Sequence, residues 1–433
     1  MSGVGQSWGR YPTAKQIVVD ITDRHQVLPI ADETLLPYGN GRSYGDSCLN
    51  DGGTLLRTRC MDRHIRFDVV SGQLECEAGV LLSEILDLVV PQGWFLPVTP
   101  GTKFVTLGGA IANDVHGKNH QATGTFGRHV LNLELLRSDG SRIYCGPQTQ
   151  AEWFAATVGG LGLTGLITRA TLQLRRIAGP WMSTETHRFE NLDGFFRLSE
   201  HSNDYEYTVA WIDCASKGRA LGRGLFTRAN HAPAFPDTRP HAPARHLKVP
   251  LVPPVSFINP LSLRAFNSLY FHRQRVPVMH ATTHYEPYFY PLDGLGDWNR
   301  IYGPRGFMQY QCVVPHAQAR ACMTELLTAI ASAGGGSFLA VLKQFGDVAS
   351  PGMLSFPRPG TTLALDFPNH GERTLRLLDR LDDIVAQAYG AVYPAKDARM
   401  AGRRFRQYFP AWEAFSHFID PRFSSSFWRR VTE

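Results

Sequence analysis

Short apolar runs separated by glycine-rich polar loops fill roughly the first 175 residues, and the texture changes near residue 180. The stretch ETLLPYGNGRSYGDSCLNDGGTLLRT runs apolar, then Gly/Asn/Ser-rich, then apolar, which predicts strand, tight loop, strand. RFDVVSGQLECEAGVLLSEILDLVVPQG predicts two strands joined at Ser71-Gly72 and a helix over about 81–90 that stops before Pro91. WFLPVTPGTKFVTLGGAIANDVHGKNH carries no helical period and reads as loop. HVLNLELLRSDGSRIYC reads as a hairpin about Ser138-Asp139-Gly140. AEWFAATVGGLGLTG reads as a helix ending in glycines, and the alternation in LITRATLQLRRI as a strand. Residues 1–30 read as a lead-in arm.

Beyond about residue 180, QYQCVVP and FLAVLKQFG predict strands. HAQARACMTELLTAIASAGG and RTLRLLDRLDDIVAQAYG predict amphipathic helices ended by glycine. This order implies an antiparallel sheet with helices on one face. Residues 226–260, rich in Pro, Ala and His, have no periodicity. They read as a lid or membrane-facing loop, or as a disordered insertion. In that segment Arg239, Arg245, His246 and Lys248 are candidates for meeting lipid headgroups. The division expected is 1–178, 179–390 and a C-terminal segment 391–433 that returns to the first domain.

Composition narrows the class. At 433 residues, 43% hydrophobic and 19% charged, the chain can bury a large core, and wholesale disorder is excluded. The net charge of +6 suits an ordinary basic protein, an anionic substrate or an anionic membrane surface. It is too diffuse for a nucleic-acid binder. Seven scattered cysteines without a Cys-x-x-Cys argue against a disulfide scaffold and a structural zinc site, and no metal is expected. MSGVGQSWGRYPTAKQ lacks a signal-peptide core, and no apolar run is long enough for a span. The expectation is a cytoplasmic protein that meets the inner membrane, if at all, peripherally.

Three glycine loops carry the candidate chemistry. The first is Pro37-Tyr38-Gly39-Asn40-Gly41-Arg42-Ser43-Tyr44-Gly45-Asp46, where positive φ and inward amides suit an anion, or simply a tight turn. The second covers Gly101, Thr106 to Gly109 and Asn113 to Asn119. The third contains a literal G-x-G-x-x-G at Gly160, Gly162 and Gly165. A helix precedes it and a strand follows, the reverse of a Rossmann turn, so that reading is rejected. Three such loops in one domain suit a long ligand threaded along the backbone, a dinucleotide above all.

In order and spacing, PYGNGRSYGDS, TPGT…TLGGAIANDVHGKN and TVGGLGLTG resemble the FAD-binding domain of the vanillyl-alcohol oxidase superfamily. AWIDC, YPLDGLGDWNRIYGPRGFMQYQ, VLKQFG, LSFPRPG and YPAKDAR extend the resemblance over nearly the whole chain, to the decaprenylphosphoryl-β-D-ribose 2'-oxidase family. The resemblance implies an α+β fold: a PCMH-type FAD-binding domain plus a substrate domain with an antiparallel sheet and flanking helices. It implies FAD contacts at Pro37, Tyr38, Gly39, Asn40, Gly41, Arg42, Ser43, Tyr44, Gly45, Asp46 and Ser47. Further contacts fall on Gly101, Thr106, Leu107, Gly108, Gly109, Asn113, Asp114, Val115, His116, Ile167 and Tyr393. Where many superfamily members bear a flavin-linked His, this chain has Arg42-Ser43, so non-covalent FAD is expected.

The same resemblance implies oxidation of the 2'-hydroxyl of a polyprenylphosphoryl ribose to a 2'-keto sugar. A separate NAD(P)H-dependent short-chain reductase would then complete the epimerisation that supplies arabinose to cell-envelope polysaccharide. Flavin supplies the hydride chemistry, while the protein must place the sugar and accept the hydroxyl proton. Lys396 and His116 are the catalytic candidates. By itself Lys396 reads as a solvated lysine paired with Asp397, and His116 as a structural histidine; the resemblance raises both. Substrate candidates are Lys118, Trp211, Phe289, Tyr302, Gln309, Gln311, Lys343, Phe345, Thr362, Ala364 and Lys396. Gln309 and Gln311 alternate about Tyr310 and so share a face. Several positions depart from the family pattern: Ala364 replaces a Cys, Thr362 an Asn, Phe289 a Tyr and Val209 a Ser. These keep open an oxidase or dehydrogenase of a soluble polyol, sugar or aldonolactone, and a non-catalytic flavoprotein or basic membrane-associated binding protein.

Overall fold

The computed structural model describes residues 3–30, 32–233 and 247–433. Its first strands are β1 (Ile17–Asp20), β2 (Leu35–Tyr38) and β3 (Thr54–Arg57), a parallel sheet ordered β1-β3-β2. The lead-in arm therefore contains a strand. Its continuous Ile17-Val18-Val19 run lacks the alternation of a half-buried strand, because β1 is an edge largely open to solvent.

A five-stranded antiparallel sheet follows. It is built from β4 (His64–Asp68), β5 (Gln73–Glu77), β6 (Val130–Leu136), β7 (Arg142–Cys145) and β8 (Leu166–Gln173), ordered β4-β5-β8-β6-β7. Helix α1 (Leu82–Val89) buries Leu82, Ile85, Leu86 and Val89 on one face. The chain then passes Pro91 in a single 3-10 turn. Helix α2 (Leu107–Ala112) corrects the loop reading of that stretch. Gly108 and Gly109 hide its period, since glycine costs a helix about 1 kcal/mol relative to alanine. What holds it is the Thr106 hydroxyl, which accepts from the Gly109 N–H at 3.1 Å. Gly108 also lies so close to Ala78 that an added Cβ would meet the Ala78 Cβ at 3.0 Å. Helix α3 (Ala151–Thr157) precedes the G-x-G-x-x-G and β8 follows it, the order that excludes a Rossmann turn.

The rest of the chain forms an eight-stranded antiparallel sheet. Its elements are β9 (Trp181–Phe189), α4 (Leu192–Glu200), β10 (Tyr207–Ile212), β11 (Gly224–His231), α5 (Pro260–His272), β12 (Val278–His284), β13 (Phe307–Val314), α6 (His316–Ala333), β14 (Val341–Phe345), β15 (Gly360–Pro368), α7 (Glu372–Gln387) and β16 (Ala391–Val392). The order is β12-β9-β11-β10-β14-β15-β13-β16. Helices α4, α6 and α7 pack on it. Strand β11 reaches His231, so the Pro/His-rich stretch begins inside a strand, and Leu247–Lys248 pairs with Leu295–Gly296. Arg239, Arg245 and His246 lie outside the described residues; Lys248 is described and pairs with Asp297 at 3.3 Å.

Side-chain alternation divides this sheet between two environments. Ala210, Phe226, Tyr310, Cys312, Leu342, Leu363 and Leu365 enter the apolar core on one face. The opposite face carries a cross-strand row, Leu225-Trp211-Val341-Ala364-Gln311, with Gln309 beside Asp366 and Lys343 beside Thr362. After β16 the chain crosses to the N-terminal strands: Leu35 N–H donates to Arg422 C=O, and Ser424 N–H to Leu35 C=O. Helix α8 (Ser426–Thr432) ends it.

Candidate active site

A cavity of about 1240 Å³ lies between the glycine loops and the polar face of the large sheet. Gly41 in the first loop has φ +60°, and a Cβ there would sit 2.2 Å from the Tyr38 hydroxyl, so the turn requires glycine. Asn40 ties this loop to the second by donating to Phe104 C=O at 2.8 Å. The Arg42 guanidinium lies 4.1 Å over the Trp8 ring. Burial lowers its pKa, opposed by Asp293, Tyr44 and Asp297. Arg42 Nε and the Ser47 hydroxyl are buried without a hydrogen-bond partner among the described residues, and both residues line the cavity. Such orphaned donors signal a ligand that brings acceptors.

The deeper part is basic. Lys396 Nζ stands 3.8 Å over the Tyr44 ring, and Lys343 Nζ donates to Gly117 C=O at 3.3 Å. Lys118 donates to Tyr288 C=O and lies 4.2 Å over its ring. Burial pushes Lys396 and Lys118 down to about 7 and Lys343 to about 8; Lys343 depresses the other two further, while Asp366 opposes the shift at Lys396. Among the described residues, none of the three lysines forms an ion pair. Asp397 does not partner Lys396; it binds Arg430 at 2.8 Å.

His116 is buried, and burial followed by Lys343, His120 and Lys396 drives its pKa well below the usual value. Gln311 Nε2 lies 2.9 Å from His116 Nε2 and 3.3 Å from Thr362 Oγ1. With Gln311 donating, His116 accepts at Nε2 and carries its proton on Nδ1, which has no hydrogen-bond partner among the described residues. Gln309 donates to Asp366 at 2.6 Å, and the Tyr302 hydroxyl donates to the same carboxylate at 3.0 Å.

Most expected residues reach this cavity: the first-loop residues through Tyr44, Ser47, Gly101, Thr106, Gly108, Gly109, Asn113, Val115, His116, Ile167 and Tyr393, then Lys118, Trp211, Phe289, Gln309, Gln311, Lys343, Ala364 and Lys396. Seven do not line it. A Cβ on Gly45 would meet Asp397 C=O, and Asp46 binds Arg430. Leu107 is core, and Asp114 accepts from Gly127 N–H and the Ser355 hydroxyl. Tyr302 stacks on Phe307 at 4.1 Å, Phe345 packs edge-on against His116 at 4.9 Å, and Thr362 sits behind Gln311. These seven hold the lining from behind. Sequence reasoning missed Trp8, Arg273, Asp293 and Asp366, which do line it. For Asp366 a signal existed, because alternation along β15 puts it on the face of Thr362 and Ala364.

Residues 7–146 match the family model of the FAD binding domain. The decaprenylphosphoryl-beta-D-ribose oxidase of Mycolicibacterium smegmatis is 32% identical over 98% of this chain and 96% of its own length. An uncharacterized protein from the mprA 5' region of Streptomyces coelicolor is 35% identical over 81% of this chain and its full length. Mouse L-gulonolactone oxidase is 29% identical over 45% of this chain and 46% of its own. The orphaned Arg42 and Ser47 donors and the crowded Gly41 turn fit a dinucleotide pyrophosphate lying along these loops. With a full-length relative at this identity and an FAD domain over the glycine loops, the chain is an FAD-dependent oxidoreductase that belongs to the decaprenylphosphoryl-β-D-ribose oxidase family.

Proposed function

We propose that the chain oxidises the 2'-hydroxyl of a polyprenylphosphoryl-β-D-ribose to the 2'-keto sugar. The observation that carries this is the convergence of Lys118, Lys343 and Lys396 on the cavity beside the dinucleotide loops, amines that form no ion pair among the described residues and suit a phosphate-bearing sugar with Lys396 left as the base. Bound FAD supplies the acceptor for the carbon hydrogen. Lys396 takes the hydroxyl proton, because a pKa near 7 lets the amine be free at neutral pH. His116 is too weakly basic for that task and orients the sugar through its Nδ1–H. Gln309, Gln311 and Asp366 meet sugar hydroxyls, Trp211 and Phe289 wall the apolar side, and Tyr393 closes the flavin side. The product goes to a separate NAD(P)H-dependent short-chain reductase, and the lipid tail places the work at a membrane surface. Among the described residues no helix is long and apolar enough to cross a membrane.

Anaerobic mixing with farnesylphosphoryl ribose tests the reading through the oxidised flavin absorbance. Bleaching with that compound but not with free ribose is expected. Bleaching by soluble sugars or aldonolactones alone transfers the enzyme to that substrate class, and a flavin reduced by no alcohol leaves only a binding protein.

Three further outcomes follow from the site. Acid precipitation releases the FAD into the supernatant and leaves a protein pellet of unmodified mass, because Cys48 is the thiol beside the first loop and burial pushes its pKa up to about 12. On the acid side, kcat/KM for flavin reduction falls about tenfold per pH unit below pH 7, as Lys396 gains the proton that disables it as a base. A flat profile from pH 5.5 to 8 excludes the lysine as base. Finally, with the exposed thiol removed by Cys60→Ser, an electrophile aimed at the family's cavity cysteine adds no mass to this protein, whereas the same protein with Ala364→Cys acquires one adduct, read by intact mass.

A further inference from the structure

Eleven of the 21 large apolar side chains exposed among the described residues fall between Leu247 and Met279. Helix α5 accounts for part of this concentration. Its inner face buries Leu263, Asn267 and Phe271, as an amphipathic helix should. Its outer stripe should then be polar, yet Leu261, Ala265 and Leu269 recur there at four-residue spacing, with Leu261 79% and Leu269 75% exposed. In the irregular chain before the helix, Leu251 is 76% and Phe257 60% exposed. A soluble surface rarely leaves so many together.

Along this segment of the chain the charge has one sign. Between Asp237 and Glu286 the sequence holds no Asp or Glu and six Lys or Arg. Arg264 and Arg275 are exposed on the described part of it. Lys248, Tyr270, Arg273 and Met279 of the same segment line the cavity, so the apolar face is continuous with the cavity wall.

We infer that this face, the outer stripe of α5 with the chain from Leu247 to Phe257, docks on an anionic lipid surface and opens the cavity toward it. This rests on the lipid-linked substrate reading and adds to it the surface that meets the bilayer. Apolar side chains enter the headgroup boundary while Arg264 and Arg275 meet lipid phosphates, the division of labour of interfacial helices. A protein partner matched to this charge would have to be acidic and apolar at once; a second copy would bring like charge against like.

The test is cosedimentation of the FAD-loaded protein, without sugar substrate, with vesicles of equal phosphatidylglycerol and phosphatidylcholine and with phosphatidylcholine alone. Binding to the anionic vesicles is expected. Leu261→Glu with Leu269→Glu should weaken it at least tenfold, and Arg264→Gln with Arg275→Gln should remove most of its salt sensitivity. Both variants should retain FAD and, without vesicles, bleach with farnesylphosphoryl ribose at the rate of the parent. Parent protein that stays in the supernatant overturns the inference, as does undiminished vesicle binding by the Leu variant. So does a parent dimer in light scattering that Leu269→Glu dissociates, which would give the face to a second copy. Vesicle binding without bleaching by farnesylphosphoryl ribose would leave this surface standing and remove the substrate reading.

Discussion

Lys396→Met is expected to slow flavin reduction by farnesylphosphoryl ribose about 10²–10⁴-fold, the usual worth of a positioned proton acceptor. FAD content should be unchanged, because Lys396 contacts the Tyr44 ring and not the orphaned donors of the first loop. Methionine keeps the length and apolar stem, so the loss reports the amine. Lys396→Arg separates two roles. Arginine retains the cation but cannot give up its proton at neutral pH, so it should be as slow as methionine if the lysine is a base. Recovery of the rate in Lys396→Arg, in stopped-flow bleaching, would assign the lysine an electrostatic role instead.

Arg430→Met should destabilise the protein by about 3–5 kcal/mol, the range for stripping one partner from a buried ion pair. Arg430 in α8 binds Asp46 of the first glycine loop at 2.7 Å and Asp397, next to Lys396, at 2.8 Å. Both carboxylates are buried, and Asp397 N-terminal to Met400 accepts that residue's backbone N–H. Removing the guanidinium leaves two negative groups facing each other without water. Burial already raises the Asp46 pKa against the opposing Arg430, and without the guanidinium it rises further above the unfolded value. Asp46 then binds more protons folded than unfolded, so the deficit shrinks as pH falls. Urea midpoints at pH 7.5 and 5.5 measure this, and Arg430→Met combined with Asp46→Asn should recover part of the loss. A midpoint unmoved at both pH values would show that the C-terminal helix does not clamp the site.

The contrast between these two residues shows how much the chain's order reveals. Lys396 was legible by its motif, though its apparent partner Asp397 proved to belong to Arg430, 33 positions on. No local pattern links Arg430 to Asp46 across 384 positions. Helix α2 was missed because two glycines erase the apolar period, and β1 because an exposed edge strand has no buried side to alternate with. The helices α1, α6 and α7 and the hairpin at Ser138-Asp139-Gly140 were legible because each carries its apolar period up to a proline or glycine that breaks it.

What the sequence determined by itself is the set of short-range facts: the glycine loops, the alternation of Gln309 and Gln311, the rejection of a Rossmann turn, and through its motifs the FAD chemistry. Those depend on residue type and spacing within a few positions, where sterics and side-chain period decide. Only the tertiary structure decided which side chains desolvate one another. The convergence of Lys118, Lys343 and Lys396, the neutral state of His116, and the withdrawal of Tyr302, Phe345 and Thr362 behind the lining all come from strands and loops far apart in the chain. Burial and charge proximity are set by packing, and packing is not written in any one segment.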